Sequence, residues 1–447
     1  MEQTAQDFGT GSLKKLLLRQ AVPASVGMLF LTVNMLVDTI LVGRWVGSIA
    51  IAALTVVTPI IFLMGSIGFA VGAGGSSVLS RALGAEKFDK AEKTVAHQLM
   101  LTTILTVSLM VVGFFFSDWM LNLFGAKGEI VEPARAFFFP LLFAGPLQAL
   151  TSTGNAVMRA EDRARYAMVG MIAPSVMNLV FDVVFIRFMD MGVFGAALAT
   201  SLSFAAGFLY LVWYFVAKSK IRLQFSHFVP DFKLAGEIGG LSFTPLARQS
   251  VISVLTILLN HQLIAFGGDT SVAVYGIISK MLMFALFPVN GITEGFQPIA
   301  GFNFGAKKYD RVQRIVKIAM TAAATLSMVI YVLILIFAEE IVSVFINDRE
   351  VLEQTPNALR WVFAASPVIV IQLIGSAYFQ SSGKAIKSLL LTLTKQGFFL
   401  IPLILILPKY FGIFGIWVAF PIADVLATLV TGSFLLASLK KLSDGKL

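Results

Sequence analysis

Long apolar stretches alternate with short polar connections along the whole chain. Twelve of them can be marked, at 20–42, 52–80, 94–116, 133–158, 166–189, 193–217, 238–266, 271–301, 314–337, 354–381, 386–408 and 411–438. A helix of about 20 residues crosses the roughly 30 Å of a bilayer's hydrocarbon, and each stretch reaches that length. Lipid offers no hydrogen-bonding partner, so a spanning segment must satisfy its own backbone as a helix or close into a barrel. Barrel strands alternate over about 10 residues, and these stretches do not. The pattern predicts an all-α membrane protein of twelve transmembrane helices. The first apolar stretch has no small-residue cleavage site and reads as a retained span.

Polar residues in the connections set the orientation. Of 34 lysines and arginines, Arg248, Lys280 and Lys395 fall inside spans. Seven more (Arg44, Lys127, Arg135, Arg187, Arg349, Arg360 and Lys409) mark one set of alternating connections, leaving 24 for the other. Basic residues concentrate on the cytoplasmic side, so both termini are expected there. The longest connection, near 218–237, falls on that side between spans six and seven. The net charge of +9 follows from this bias. It is no sign of nucleic-acid binding, since no basic segment is interleaved with exposed aromatics.

The chain also resembles itself. Gly84-Ala85-Glu86-Lys87-Phe88-Asp89-Lys90 matches Gly305-Ala306-Lys307-Lys308-Tyr309-Asp310-Arg311. Phe124, Glu129, Glu132, Pro146 and Gly154 match Phe345, Glu350, Glu353, Pro367 and Gly375, again 221 residues on. Gly192-Val193-Phe194-Gly195 matches Gly412-Ile413-Phe414-Gly415 at 220. Each repeat holds six spans, an even number, so both enter the membrane from the same side as parallel repeats. The expected organisation is an N-terminal lobe at 1–217, a cytoplasmic inter-lobe loop at 218–237 and a C-terminal lobe at 238–447. The two six-helix lobes would be related by a pseudo-two-fold axis.

Composition narrows the chemistry. The chain has 447 residues, of which 57% are hydrophobic and 13% charged. It has no cysteine, which excludes disulfides, thiolate nucleophiles and cysteine metal sites. His97, His227 and His261 are scattered, and no metal centre is expected beyond a possible Na⁺. No nucleotide-binding motif, paired-aspartate protease motif, zinc-binding HExxH or partnered serine nucleophile is present, so neither an enzyme nor an organic cofactor is expected.

The informative residues are the polar ones inside spans. Asn34 and Asp38 lie four apart on span one, and Asn178 and Asp182 four apart on span five. Residues four apart share a helix face. A carboxylate at the centre of a membrane helix costs about 2.5–3.5 kcal/mol on insertion scales, so its presence points to use. Each pair offers hard oxygens for Na⁺ or a carboxylate that can take a proton. A structural hydrogen bond, or an acid near the outer helix end, is the competing reading. Arg248, Lys280 and Glu294 form a candidate charge network in the second half. Lys395 is expected to reach toward the cytoplasm, and Asp424 stands isolated in span twelve. Pro23 is a candidate gating bend in span one. Glycines 65, 68, 72, 74 and 75 give span two a closely packing face.

At this point the chain resembles the multidrug and toxic compound extrusion (MATE) transporters. The resemblance rests on the stretch Asn34-Met35-Leu36-Val37-Asp38-Thr39-Ile40-Leu41-Val42-Gly43, the paired Gly-Ala-basic loops, and Gly295-Phe296-Gln297-Pro298-Ile299 before Asn303-Phe304-Gly305-Ala306. Asn178 through Asp182, followed by Thr200 in span six, is similar to the first-lobe cation site of the DinF-like branch. The NorM-like branch carries an acid in span seven, whereas Ser250 to Gln262 holds none. The resemblance covers nearly the whole chain. It implies two six-helix lobes in an outward V, exporting organic cations in exchange for Na⁺ or H⁺, and it adds Thr200 to the coupling site.

The expectation is therefore a secondary active multidrug exporter working by alternating access. It would be a multi-pass plasma-membrane protein (inner membrane in a Gram-negative cell), monomeric, with amphipathic drugs or toxic organic cations as substrates and lipid as its surroundings. A flippase for a lipid-linked sugar is the alternative. That reading requires a strongly cationic central cavity, which the first-lobe acids oppose.

Overall fold

A computed structural model describes residues 7–344 and 348–444. Phe345 of the sequence repeat and Lys446 of the basic C-terminus lie outside them. Among the described residues there are helices and connections but no strand. The first half holds α1 (Leu13–Trp45), α2 (Ser48–Gly84), α3 (Phe88–Phe115), α4 (Val131–Ala160), α5 (Ala164–Phe188) and α6 (Gly192–Ala217). One 74-residue helical run, Phe232–Gly305, opens the second half. At 1.5 Å per residue a straight helix of that length would reach about 110 Å, several bilayers thick. It is broken at Gly268, whose φ of 65° and ψ of −167° no helix contains. The two arms, 232–267 and 269–305, are α7 and α8. They are followed by α9 (Tyr309–Ser343), α10 (Arg349–Val362 and Ser366–Ser381, bent by 49°), α11 (Ala385–Phe411) and α12 (Ile413–Ser443).

Among the described residues, ten helices are long and apolar enough to cross a membrane; the Gly268 break makes them eleven, and the bent pair adds a twelfth span. The helices overrun the apolar stretches, as at α9, which begins five residues before its span at 314. Helical hydrogen bonding persists into water, so the end of the hydrophobic stretch is not the end of the helix.

The duplication is written into the backbone. Left-handed residues recur at the repeat offset of 221: Gly47 and Gly268, Glu86 and Lys307, Asp162 and Gly383. The α2–α3 turn closes with Lys87 N–H donating to Ala82 O at 2.9 Å, and the α8–α9 turn with Lys308 N–H donating to Asn303 O at 2.9 Å. Both are six-to-one Schellman closures at a helix C-terminus. The break at Gly268 is therefore the counterpart of the α1–α2 break at Gly47.

The chain divides into two compact units, one holding Val26–Ser242 and the other Phe8–Ser25 with Phe243–Leu447. The crossings fall inside α1 and α7, not in a loop. Within the second unit, residues 8–11 are tied down by α8, α9 and the turn between them. Asn303 Nδ2 donates to Phe8 O at 3.0 Å, Lys308 Nζ to Gly9 O at 3.1 Å, and Arg311 donates to Phe8 O and Gly11 O. Within the first unit, Glu237 on the opening turns of α7 pairs with Arg81 at 3.1 Å and Lys90 at 2.7 Å.

In the first unit α2 packs along α4. Gly68 allows the approach, because a β-carbon there would overlap the Ala149 carbonyl. Thr153 Oγ1 then donates to Gly68 O at 2.9 Å and meets Thr102 Oγ1 of α3 at 2.9 Å. Small residues and hydroxyls replace the hydrophobic drive that lipid removes. The glycine face of α2 is used as its spacing predicted.

Candidate functional site

The first unit brings the polar pairs of spans one and five together. Asn34 Nδ2 on α1 donates to Asn178 Oδ1 on α5 at 2.9 Å. Asn178 Nδ2 donates onward to Thr200 Oγ1 on α6 at 3.3 Å. Thr200 in turn donates to Ala196 O at 3.1 Å. One turn further along α1 and α5, the carboxyl groups of Asp38 and Asp182 interact directly. Asp182 is fully buried and Asn178 nearly so, whereas Asn34 and Asp38 are half-buried.

What these oxygens lack decides what the cluster can hold. Among the described residues, no donor reaches Asn34 Oδ1, Asp38 Oδ1 or either oxygen of Asp182. Two carboxylates in contact repel unless they share a proton or a cation bridges them. The donor set is all hard oxygen, the chemistry of H⁺ and alkali cations. Among the described residues, no group of three or more histidines, aspartates and glutamates is placed to hold a metal ion. Asp182 closes the α-helical part of α5, and Val183–Phe188 continues as a π-turn. Such insertions are frequent at functional sites, because one extra residue re-aims the side chains around it.

A cavity of about 170 Å³ lies in the same unit, walled by α1, α2, α4, α5 and α6. Met28, Leu31, Phe69, Met171, Pro174 and Phe204 make it mainly apolar, and Gln148, Thr151, Ser152, Asn155 and Arg159 add polar groups. Among the described residues, neither Gln148 Oε1 nor Asn155 Oδ1 has a hydrogen-bond donor. Pro174 precedes Asn178 by four residues, Phe204 follows Thr200 by four, and Leu31 precedes Asn34 by three. These spacings put cavity and acid cluster on the same helix faces, with each step about 5–6 Å along the axis. A soft, Met- and Phe-lined wall accommodates varied apolar shapes.

The other expected residues lie elsewhere. Pro23 sits inside α1 in the stretch that belongs to the second unit, three residues ahead of the crossing. Arg248 and Glu294 attract one another across the second unit. Lys280 is exposed and makes no ion pair among the described residues. Asp424 is not isolated: Lys395 Nζ lies 2.7 Å from its Oδ1. Both sit on apolar helices 29 residues apart, and nothing in that spacing reveals that their faces meet.

Glu161 is a further polar site that span-by-span reading passed over. Its buried carboxylate accepts from Tyr214 Oη at 2.6 Å, Ser219 Oγ at 2.9 Å, Lys220 N–H at 2.9 Å and Ile221 N–H at 3.1 Å. It pins the start of the 218–237 connection. His97 helps at the other end, where its Nε2 accepts from Asp231 N–H at 2.9 Å. His97 on α3 thus serves the loop, a contact that its distance along the sequence concealed.

Comparison with known proteins bears on the whole chain. The multidrug export protein MepA of Staphylococcus saprophyticus is 24% identical over 423 residues, covering 94% of this chain and 93% of that protein. A solved outward-facing conformation of a multidrug resistance MATE family transporter of the MOP superfamily superposes with TM-score 0.91 at 26% identity, covering 99% of this chain and 98% of the other. A crystal structure of MATE in the bent conformation gives 0.93 at 25% identity, with 99% of each chain covered. The family model MatE matches twice, at 23–184 and 245–406. The two matches fall on the two sequence repeats, and together they take up well over half of the chain. The protein belongs to the MatE family of membrane transporters.

Proposed function

We propose that the protein is a secondary active multidrug exporter that exchanges organic, mostly cationic and amphipathic compounds for H⁺ or Na⁺ by alternating access. The observation that carries the reading is the contact between Asp38 and Asp182, with donor-free oxygens in a buried, all-oxygen site. Such a pair changes its local energy whenever a proton or cation arrives. With the site empty, the carboxylates repel and α1 and α5 are driven apart at that level. With it filled, they are held together.

The cavity supplies the other half of the exchange. An amphipathic molecule seated against Met28, Phe69, Met171 and Phe204 presents its cationic end along the α1, α5 and α6 faces toward the acids. Ion and drug then compete for one negative charge, and that competition makes the exchange obligatory. The similarity to MepA, described as a multidrug export protein, supports drugs as the cargo. The excess of basic residues on one side supports two cytoplasmic termini in a plasma membrane.

The deciding experiment uses the full chain in proteoliposomes without ATP, following efflux of fluorescent ethidium under separately imposed Na⁺ and proton gradients. One gradient, or either, is expected to drive uphill transport. Asp38→Asn and Asp182→Asn should each abolish it with membrane insertion intact. If the pair acts as a unit, the double variant is no worse than either single one. Undiminished uphill transport after both gradients collapse overturns the reading.

A further inference from the structure

The second unit holds a buried charge pair that the coupling site above does not use. Lys395 Nζ on α11 lies 2.7 Å from Asp424 Oδ1 on α12. The two side chains differ in access: 21% of Lys395 is exposed against 3% of Asp424. Beside them is a cavity of about 30 Å³. A water needs about 10–15 Å³ by that measure, so the space admits about two waters and excludes a drug. The remaining walls come from α8, α9, α10 and α12, with Val289, Ser327, Ser366 and Phe420 among the side chains. Among the described residues, no other charged or titratable side chain lines the cavity, and the Lys395 charge acts on Asp424.

Stability does not explain the pair. Replacing a buried ion pair by packed apolar groups is often neutral or stabilising, since two desolvated charges regain little more than they lose. The local backbone beside the pair departs from plain α-helix. Lys395 is the second residue of a π-turn, Thr394–Leu400, inside an otherwise α-helical span. A π-turn carries one surplus residue and can exchange with α-helix by a local shift in register.

We propose that Lys395 and Asp424 form a second proton-binding site, in the C-terminal unit, whose occupancy switches the ion pair on and off. A proton delivered through the water-sized cavity adds to the Asp424 carboxylate and makes it a neutral carboxyl. Lys395 keeps its own proton and charge, loses its partner and turns toward water, which its exposure permits. Loss of the proton restores the pair. Net uptake is one proton per cycle, with no other bond made or broken. Its use in transport rests on the ion-coupled reading above, whereas proton binding itself does not.

The test is pH-difference infrared spectroscopy of the full-length protein in liposomes, comparing wild type, Asp424→Asn and Lys395→Met. On acidification a protonated-carboxyl band should appear in wild type and be missing from Asp424→Asn. An opposite charge depresses a carboxyl's titration by about 1–3 units, so Lys395→Met should raise the band's midpoint by about that much. Lys395→Gln serves if the methionine variant does not fold. A band unchanged by Asp424→Asn, or a midpoint unmoved without the lysine, overturns the site. Proton-driven ethidium efflux is measured alongside and should fall about tenfold in Asp424→Asn. Failure of wild type to show any ion-driven efflux refutes antiport, while the infrared result still decides the proton site.

Discussion

Replacing Thr200 by valine tests the site through one hydrogen bond. Valine matches threonine in shape but removes the oxygen that accepts from Asn178 Nδ2 at 3.3 Å. Asn178 is 3% exposed, so water cannot readily take over. A buried donor left unsatisfied costs about 1–3 kcal/mol. At 3.3 Å the lost bond is long for N–H···O, which places the effect near the lower end, about 1 kcal/mol. That energy is about a fivefold factor in an equilibrium. Asn178 also holds Asn34 at 2.9 Å, so Asn178→Ala breaks both links and should act more strongly, by about 2–4 kcal/mol or roughly 30- to 1,000-fold. The assay is the concentration of coupling ion giving half-maximal efflux in proteoliposomes. Thr200→Ser, which keeps the oxygen, should stay near wild type. Thr200→Val should require about five times more ion. Equal ion dependence in Thr200→Val and Thr200→Ser would refute the argument that the amide chain positions the site.

Three further outcomes follow from other contacts. Glu161→Ala leaves the buried Tyr214 hydroxyl and Ile221 N–H without their acceptor, so thermal stability in detergent should drop by roughly 2–6 kcal/mol. Hydrogen exchange at Lys220 and Ile221 should quicken at the same time, and unchanged exchange would dismiss Glu161 as the loop's anchor. Thr153→Val removes the α4–α2 and α4–α3 bonds, for which membrane proteins give about 0.6 kcal/mol on average, so a loss of about 1 kcal/mol is expected. A loss above about 4 kcal/mol would mean these hydroxyls do more than join helices. Because the chain has no cysteine, single cysteines at Ser12 and Ser443 are the only labels. An impermeant reagent should reach them only after the cells are opened, and labelling in intact spheroplasts would reverse the topology.

Much of this protein was legible before any coordinates. Apolar runs long enough to cross lipid must be helices, because no other open structure satisfies its backbone there. That constraint is local to each run, so twelve spans and their duplication could be read directly, down to a break between spans seven and eight. The pairing of Asn34 with Asp38, and of Asn178 with Asp182, was equally local: four residues on a helix return to one face. The resemblance then supplied Thr200. What four-residue spacing cannot say is which face meets which neighbour. The direct contact of Asp38 with Asp182 and the pairing of Lys395 with Asp424 depend on how separate helices pack. The gathering of four donors on Glu161 depends on it too. The same holds for the exchange that places residues 8–25 with the second unit, since an unbroken helix gives no sign of changing company midway. The π-turns at 183–188 and 394–400 differ from α-helix by one residue of register. Neither stretch, VVFIRF nor TKQGFFL, carries a sequence signal for that extra residue.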